Sequence, residues 1–168
     1  MTPRVSVLMT IYNSDLYLKE AIDSLINQSF MGWELIAVEN GSSDKSIAIL
    51  NNYQDSRIRV FPFSENIGRT PDLRFAFKQA QGEFIAVLDS DDVSRPERIS
   101  EQISFLDLNP EILLVGSWVE YIDESSNILS TSKPYSDSKK LLDCLGWMNP
   151  ITHSSVMFRK SAAKEVGG

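Results

Sequence analysis

Asp89, Asp91 and Asp92 put three carboxylates within four positions, with Ser90 between the first two. Like charges this close repel unless a cation lies among them, and hard oxygen ligands suit Mg2+ or Mn2+. The acids follow directly on Phe84-Ile85-Ala86-Val87-Leu88, a run of five apolar residues preceded by the turn residue Gly82. Such a run reads as a strand buried on both faces, as in a parallel sheet. Open α/β sheets bind ligands in the crevice outside the strand C-termini, so the acids stand where a metal could hold a phosphorylated ligand. Helix capping is the competing account, because Asp and Ser are ordinary N-cap residues and Arg95-Pro96 opens a helix just downstream.

The elements that must position this cluster can be followed along the chain. Val5–Ile11 (VSVLMTI) is a strand, and Ser14 or Asp15 is placed to cap a helix bearing Leu18, Ile22, Leu25 and Ile26 on one face. Trp33–Val38 is a second strand, followed by Glu39-Asn40-Gly41-Ser42 and a helix capped by Asp44 that runs through Ile47 and Leu50. Arg57–Phe61 is a third strand. Thr70-Pro71 starts a helix with proline at its first position, carrying Leu73, Phe77 and Ala80 inward and ending at Gly82. Strand–helix alternation of this kind predicts parallel strands with right-handed crossovers. One edge then collects Thr10 to Asn13, Glu39 to Ser42 and Asp89 to Asp92.

After Pro96 a helix carries Ile99, Ile103 and Leu106, and Asn109-Pro110 ends it. Leu113–Ile122 reads as one long strand, Asp123–Asn127 as a turn and Ile128–Thr131 as a return strand. Ser136-Asp137 caps an amphipathic helix through Leu141, Leu142 and Leu145, broken by Pro150. Ser155–Phe158 is a last strand, and Arg159–Val166 starts a helix. The expected organisation is a single domain over residues 1–168, with a nucleotide-binding half over 1–110 and a mixed extension over 111–168.

At 168 residues with 42% hydrophobic content, the chain can bury a sizeable core. Its 16 basic and 23 acidic residues give a net charge of −7, which argues against sequence-independent nucleic-acid binding. An anionic small ligand stays compatible, since a metal inverts the local field. Cys144 is the only cysteine; beside Leu142 and Leu145 it reads as a buried structural thiol in a reducing compartment. No apolar run approaches the ~18 residues of a membrane span. The expectation is a cytoplasmic protein, with peripheral association at the inner face of the membrane left open.

The order VSVLMTIYN, WELIAVENGSSD, NIGRT, GEFIAVLDSDD with RPERI, then HSSVMFRK, resembles the family 2 glycosyltransferases of the GT-A fold over Val5 to Gly168. The resemblance implies a Rossmann-like, mostly parallel α/β sheet and a nucleotide-sugar donor. It also implies a saccharide or lipid-linked acceptor and transfer with inversion. The residues suit such a donor: Thr10 and Tyr12 can flank and stack on a nucleobase, and Glu39 can accept the imide N–H of uracil. Arg69 can pair with the diphosphate. Asp91, with Asp89, would hold the metal that stabilises the departing nucleoside diphosphate, and Asp92 would support it or meet a sugar hydroxyl. His153, the only histidine, lies in a segment that in the resembled family faces acceptor and donor phosphates.

Three departures qualify the resemblance. Glu39-Asn40 stands where the family usually has Asp-Asp, which loosens the expectation of uracil. Leu73-Arg74 stands where an Arg-Asn pair is common, which makes Arg74 an alternative to Arg69. Inverting members also use a carboxylate base downstream of the Val-Gly-Gly segment, which here is Val166-Gly167-Gly168. The resemblance therefore implies an N-terminal portion, truncated at its C-terminus, with the donor site present and the general base absent. A non-catalytic nucleotide-binding module is the alternative. A sugar nucleotidyltransferase is disfavoured because Tyr12-Asn13-Ser14-Asp15 has no glycine for a phosphate loop.

Overall fold

The computed structural model of the chain describes residues 2–133, 135–165 and 167. It begins with the expected alternation: β1 (Val5–Ile11), α1 (Leu18–Ile26), β2 (Trp33–Asn40), α2 (Ser46–Asn51), β3 (Ile58–Phe63), α3 (Arg69–Gln79), β4 (Phe84–Val87) and α4 (Arg98–Leu108). β5 (Leu114–Val115), β6 (Val119–Ile122), β7 (Ile128–Ser132) and α5 (Ser138–Cys144) follow. A single 3-10 turn (His153–Ser155), β8 (Met157–Arg159) and α6 (Lys160–Glu165) complete the described elements. The main sheet has the order β3-β2-β1-β4-β8-β5, and β6-β7 is a separate hairpin.

Within the main sheet the first four strands are parallel, with Val7 of β1 opposite Leu35 of β2 and Ala86 of β4. Period-two side-chain alternation sends successive residues to opposite faces. Val5, Val7, Met9 and Ile11 join Leu18, Ile22, Leu50, Ile99 and Leu106 on the face covered by α1, α2 and α4. Leu8, Ile36, Val38 and Ile85 join Ala76 and Ala80 on the face covered by α3, with Phe61, Phe63 and Phe75 packed against them. Every residue of β2 is buried, so its nearly continuous apolar run is what two covered faces require. Phe75 meets both Phe61 and Phe63 edge-on, at centroid distances of 5.2 and 5.1 Å.

At the N-terminal end of the strands a buried polar knot fixes the entry to β4. The Ser6 hydroxyl donates to Glu34 Oε1 at 2.6 Å and accepts from the Gly82 amide at 2.8 Å. Glu34 also accepts from the Gln81 amide at 2.7 Å and pairs with Arg59 at 2.8 Å. Gly82 lies so close to β1 that a Cβ there would stand 2.6 Å from the Ser6 amide nitrogen. The acids beyond β4 therefore hang from a strand whose entry is fixed.

Several expectations need correction. Leu113–Ile122 is not one strand: it breaks at Gly116, because Leu114–Val115 pairs with β8 while Val119–Ile122 crosses into the hairpin with β7. β8 runs antiparallel to β4, which agrees with the mixed extension expected over 111–168. Neither Ser14 nor Asp15 caps α1 with its side chain; the Ser14 carbonyl takes the Tyr17 and Leu18 amides instead. α3 starts at Arg69, which puts Pro71 at its third position, and it ends at Gln79. Cys144 is half-buried rather than buried, and Leu142 and Leu145 are exposed. The helix expected over Arg159–Val166 is α6, and Val166 lies outside the described residues.

Candidate functional site

The C-terminal ends of β2, β1 and β4 and the start of α3 enclose a cleft of about 390 Å3. Its walls carry Thr10 and Tyr12 from β1 and its exit, Asn40 from β2, Arg69 and Asp72 from α3, and Asp89 to Asp91 beyond β4. The loops forming this edge are tied to one another. Asn13 adopts a left-handed conformation with φ of 49°, which asparagine tolerates. Its side chain accepts from the Ser43 amide at 2.9 Å, and its own amide donates to the Ser42 hydroxyl at 3.0 Å. The hydroxyls of Ser14 and Ser90 meet at 2.8 Å, joining the β1 exit to the acid loop.

A second junction joins the loops after β2 and β3. Asn40 donates to Asn66 Oδ1 and accepts from the Ile67 amide, each at 3.0 Å. Gly41 has φ of 70°, and a Cβ there would come within 2.8 Å of the Glu65 backbone. Only glycine fits both that conformation and that approach. Glu39 is buried just below, with Oε1 accepting from the Ser42 amide at 2.6 Å.

At the other end of the cleft Asp89, Arg69 and His153 form a triangle. The Arg69 guanidinium lies 2.5 Å from Asp89 Oδ1 and 2.8 Å from His153 Nδ1, and that nitrogen is 3.4 Å from the same carboxylate oxygen. Arg69 and His153 Nδ1 therefore converge on one oxygen of the Asp89 carboxylate. Burial acts to raise the Asp89 pKa, but the contributions of His153, Ser154 and Arg69 outweigh it and hold the carboxyl below its usual range. The Asp89 amide itself donates to the Ser154 hydroxyl at 3.0 Å. Asp92 shifts the other way: burial and the neighbouring Asp91 and Asp89 charges raise it against the pull of Ser154 and Arg98.

Arg98 anchors the acid loop from behind. It donates to the carbonyls of Val87, at the end of β4, and Val156, just before β8, at 2.9 and 3.2 Å. Burial pulls its guanidinium down to about 10, with Asp92 opposing that shift. Arg98→Met leaves both carbonyls without their charged donor and is expected to lower stability by about 2 kcal/mol. A urea midpoint measurement checks this; an unchanged midpoint would mean that the two strands need no such pin.

Of the residues singled out from the sequence, Thr10, Tyr12, Arg69, Asp89 and Asp91 border one cleft. Glu39 lies under it and His153 reaches it through Arg69. Asp92 faces a second groove of about 800 Å3, shared with Asp91 and walled by Arg95, Trp118 and Glu120. Arg74 is exposed and is not among the cleft residues, so Arg69 is the arginine that α3 presents there. Sequence reasoning missed Ser14, Asn66, Asp72 and Ser90. Asn66 carried a signal, standing two residues before Gly68, but an acid in the first turn of a helix reads as an ordinary dipole partner, which hid Asp72.

An open α/β sheet with a polar cleft at a crossover edge, bearing an aromatic, an arginine and clustered acids, belongs to the class of domains that bind ligands at their strand ends. Comparison with known proteins narrows the class. The family model "Glycosyl transferase family 2" matches residues 6–167, and the chain belongs to that family. An uncharacterized glycosyltransferase of Methanocaldococcus jannaschii is 36% identical over 98% of the chain and 58% of its own length. A UDP-Gal:alpha-D-GlcNAc-diphosphoundecaprenol beta-1,3-galactosyltransferase of Escherichia coli is 29% identical over 99% of the chain and 62% of its own length. Staphylococcus aureus TarS 1-349, solved in complex with UDP-GlcNAc, superposes with a TM-score of 0.73. It is 24% identical, over 97% of the chain and 47% of TarS 1-349, and shows that the fold is shared. The chain thus spans little more than half the length of the curated relatives it matches.

Proposed function

We propose that this chain binds the donor for a glycosyltransferase that moves a sugar from a UDP-sugar to a saccharide or lipid-linked acceptor, with a divalent metal and with inversion. The observation that carries it is the cleft in which Tyr12, Arg69 and Asp91 share one wall system. Tyr12 is half exposed at the β1 exit, so its ring face is free to stack on a base. Arg69 uses one terminal nitrogen for Asp89 and His153 and, among the described residues, has its other N–H groups unpaired, available to phosphate oxygens. Residues 1–110 serve as the nucleotide-binding half and residues 111–168 as the start of the acceptor side.

The donor set suits Mg2+ or Mn2+. Asp91 is exposed in the cleft and makes no hydrogen bond among the described residues, while Asp89 stands two positions before it. Such cations are commonly held by one or two carboxylates together with substrate phosphates rather than by an all-protein cage. Asp91 and Asp89 would hold the ion, which supplies Lewis-acid stabilisation of charge on the departing diphosphate. Arg69 adds charge-assisted donors to the same group, and Asp92 supports the loop. The second groove, which Asp91 and Asp92 also border, is the approach left for an acceptor. No helix among the described residues is long and apolar enough to cross a membrane; a lipid-linked acceptor would bring the protein to the inner face of one.

The test is calorimetry with UDP and UDP-sugars, with and without Mn2+, followed by transfer assays with a radiolabelled donor. Metal-dependent UDP binding is expected, and no binding of any nucleotide would overturn the reading. Binding without transfer by the full-length protein would favour a non-catalytic module. Tyr12→Ala is expected to weaken UDP about tenfold, since base–aromatic stacking contributes about 1–3 kcal/mol. Unchanged affinity would remove Tyr12 from the base site.

A further inference from the structure

Asp72 is the residue that the cleft does not explain by packing alone. It sits in the first turn of α3, its side chain is completely buried, and it borders the cleft. Neither carboxyl oxygen has a hydrogen-bond partner among the described residues. A buried carboxylate left unpaired is strongly unfavourable, and a helix N-terminus offsets only a small part of that cost. The charge that acts on Asp72 is Glu39, buried at the end of β2. Burial, and then Glu39, push the Asp72 carboxyl above the usual carboxylate range. Asp72 thus borders the cleft, and Glu39 lies buried under it at the end of β2.

Uracil presents an imide N–H flanked by carbonyl oxygens, so its edge asks for one acceptor beside one donor. Cytosine presents the reverse at the same positions, an amino donor beside a bare ring nitrogen. Glu39, which already accepts from the Ser42 amide, supplies the acceptor, and Asp72, a carboxyl too deeply buried to stand unpaired as an anion, supplies an O–H donor. We propose that Asp72 is a base-selecting residue of the donor cleft, its neutral carboxyl donating to a uracil carbonyl while Glu39 accepts the imide N–H. This rests on the UDP-sugar reading above and deepens it. It also explains why a buried acid can stand without a protein partner: the ligand is the partner. Buried polar groups of this kind discriminate strongly because the wrong ligand leaves them unpaired.

The experiment measures the affinities of UDP and CDP, with Mn2+, for the wild type, Asp72→Asn and Asp72→Ala. Asn keeps the shape and an N–H donor, so Asp72→Asn is expected to hold the UDP-over-CDP ratio within about threefold of wild type. Asp72→Ala, without a donor, is expected to reduce the ratio at least tenfold. Circular dichroism and thermal melts establish that each variant folds; Asp72→Asn removes an unpaired acid and is expected to melt no lower than wild type. An equal ratio in all three proteins would make Asp72 structural and overturn the proposal. Loss of the ratio in Asp72→Asn as well would mean that an ionised acceptor is needed, and would overturn it too. If wild type bound neither nucleotide, the UDP-sugar reading itself would fail, and Asp72 would fall with it.

Discussion

Asp91→Asn is expected to remove Mn2+-dependent binding of UDP while leaving the fold intact. Asp91 is exposed in the cleft and makes no hydrogen bond among the described residues, so the substitution breaks no internal contact. Asparagine keeps the shape but loses the charge and one hard anionic ligand. Loss of residues that merely support metal ligands typically costs 10–100-fold in metal affinity, so loss of a direct ligand is expected to cost at least about 100-fold. Calorimetry of UDP against the variant, at matched Mn2+, reads this directly. A UDP affinity that still rises with Mn2+ as in wild type would sink the metal assignment. Asp89 is the less clean test, because Asp89→Asn would also loosen Arg69 and His153.

Gly82→Ala is expected to be strongly destabilising. The new Cβ would fall 2.6 Å from the Ser6 nitrogen, 2.8 Å from the Val5 carbonyl carbon and 2.9 Å from the Arg4 carbonyl oxygen. All three are backbone atoms of β1 or its entry, so no side chain can rotate away to relieve the contact. The Phe84 amide bonds to the Arg4 carbonyl at 3.0 Å, and the Gly82 amide to Ser6; shifting the strand strains both. Overpacking of this type costs about 1–3 kcal/mol, and a backbone clash belongs at the top of that range or above. Gly146→Ala, where a Cβ would meet nothing within 4 Å, is the control and is expected within about 0.5 kcal/mol of wild type. Equal urea midpoints for the two variants would show that β1 and β4 can separate freely.

The parallel half of the fold was legible because each strand carries its own signature. VSVLMTI, WELIAV and FIAVL are apolar on both faces, and Asp44, Asn109 and Pro110 mark helix ends through local chemistry. Local chemistry also exposed the strand-end residues, since Tyr12, Asp89 and Asp91 are polar or aromatic where a strand stops, and Arg69 stands where α3 starts. What stayed hidden depends on partners distant in sequence. Nothing in Leu113–Ile122 says that its first residues pair with Met157 and Phe158 while its last turn back on β7. The burial of Asp72 is of the same kind: it is made by the sheet that α3 lies on, and the helix alone would leave that position in water.

β8 has a consequence in time. Its antiparallel pairing covers the β4 edge opposite β1 with Ala86 against Met157 and Phe84 against Arg159. β4 is finished at Val87, but β8 begins about 70 residues later, roughly 4–14 s of synthesis at ~5–20 residues per second. During that interval the β4 edge is bare, on the strand that leads into the acids, in addition to the β3 edge that the finished sheet keeps. Bare edges invite pairing with other chains. The β4 edge of this protein therefore lies open on the ribosome from the time β4 emerges until Met157 to Arg159 cover it.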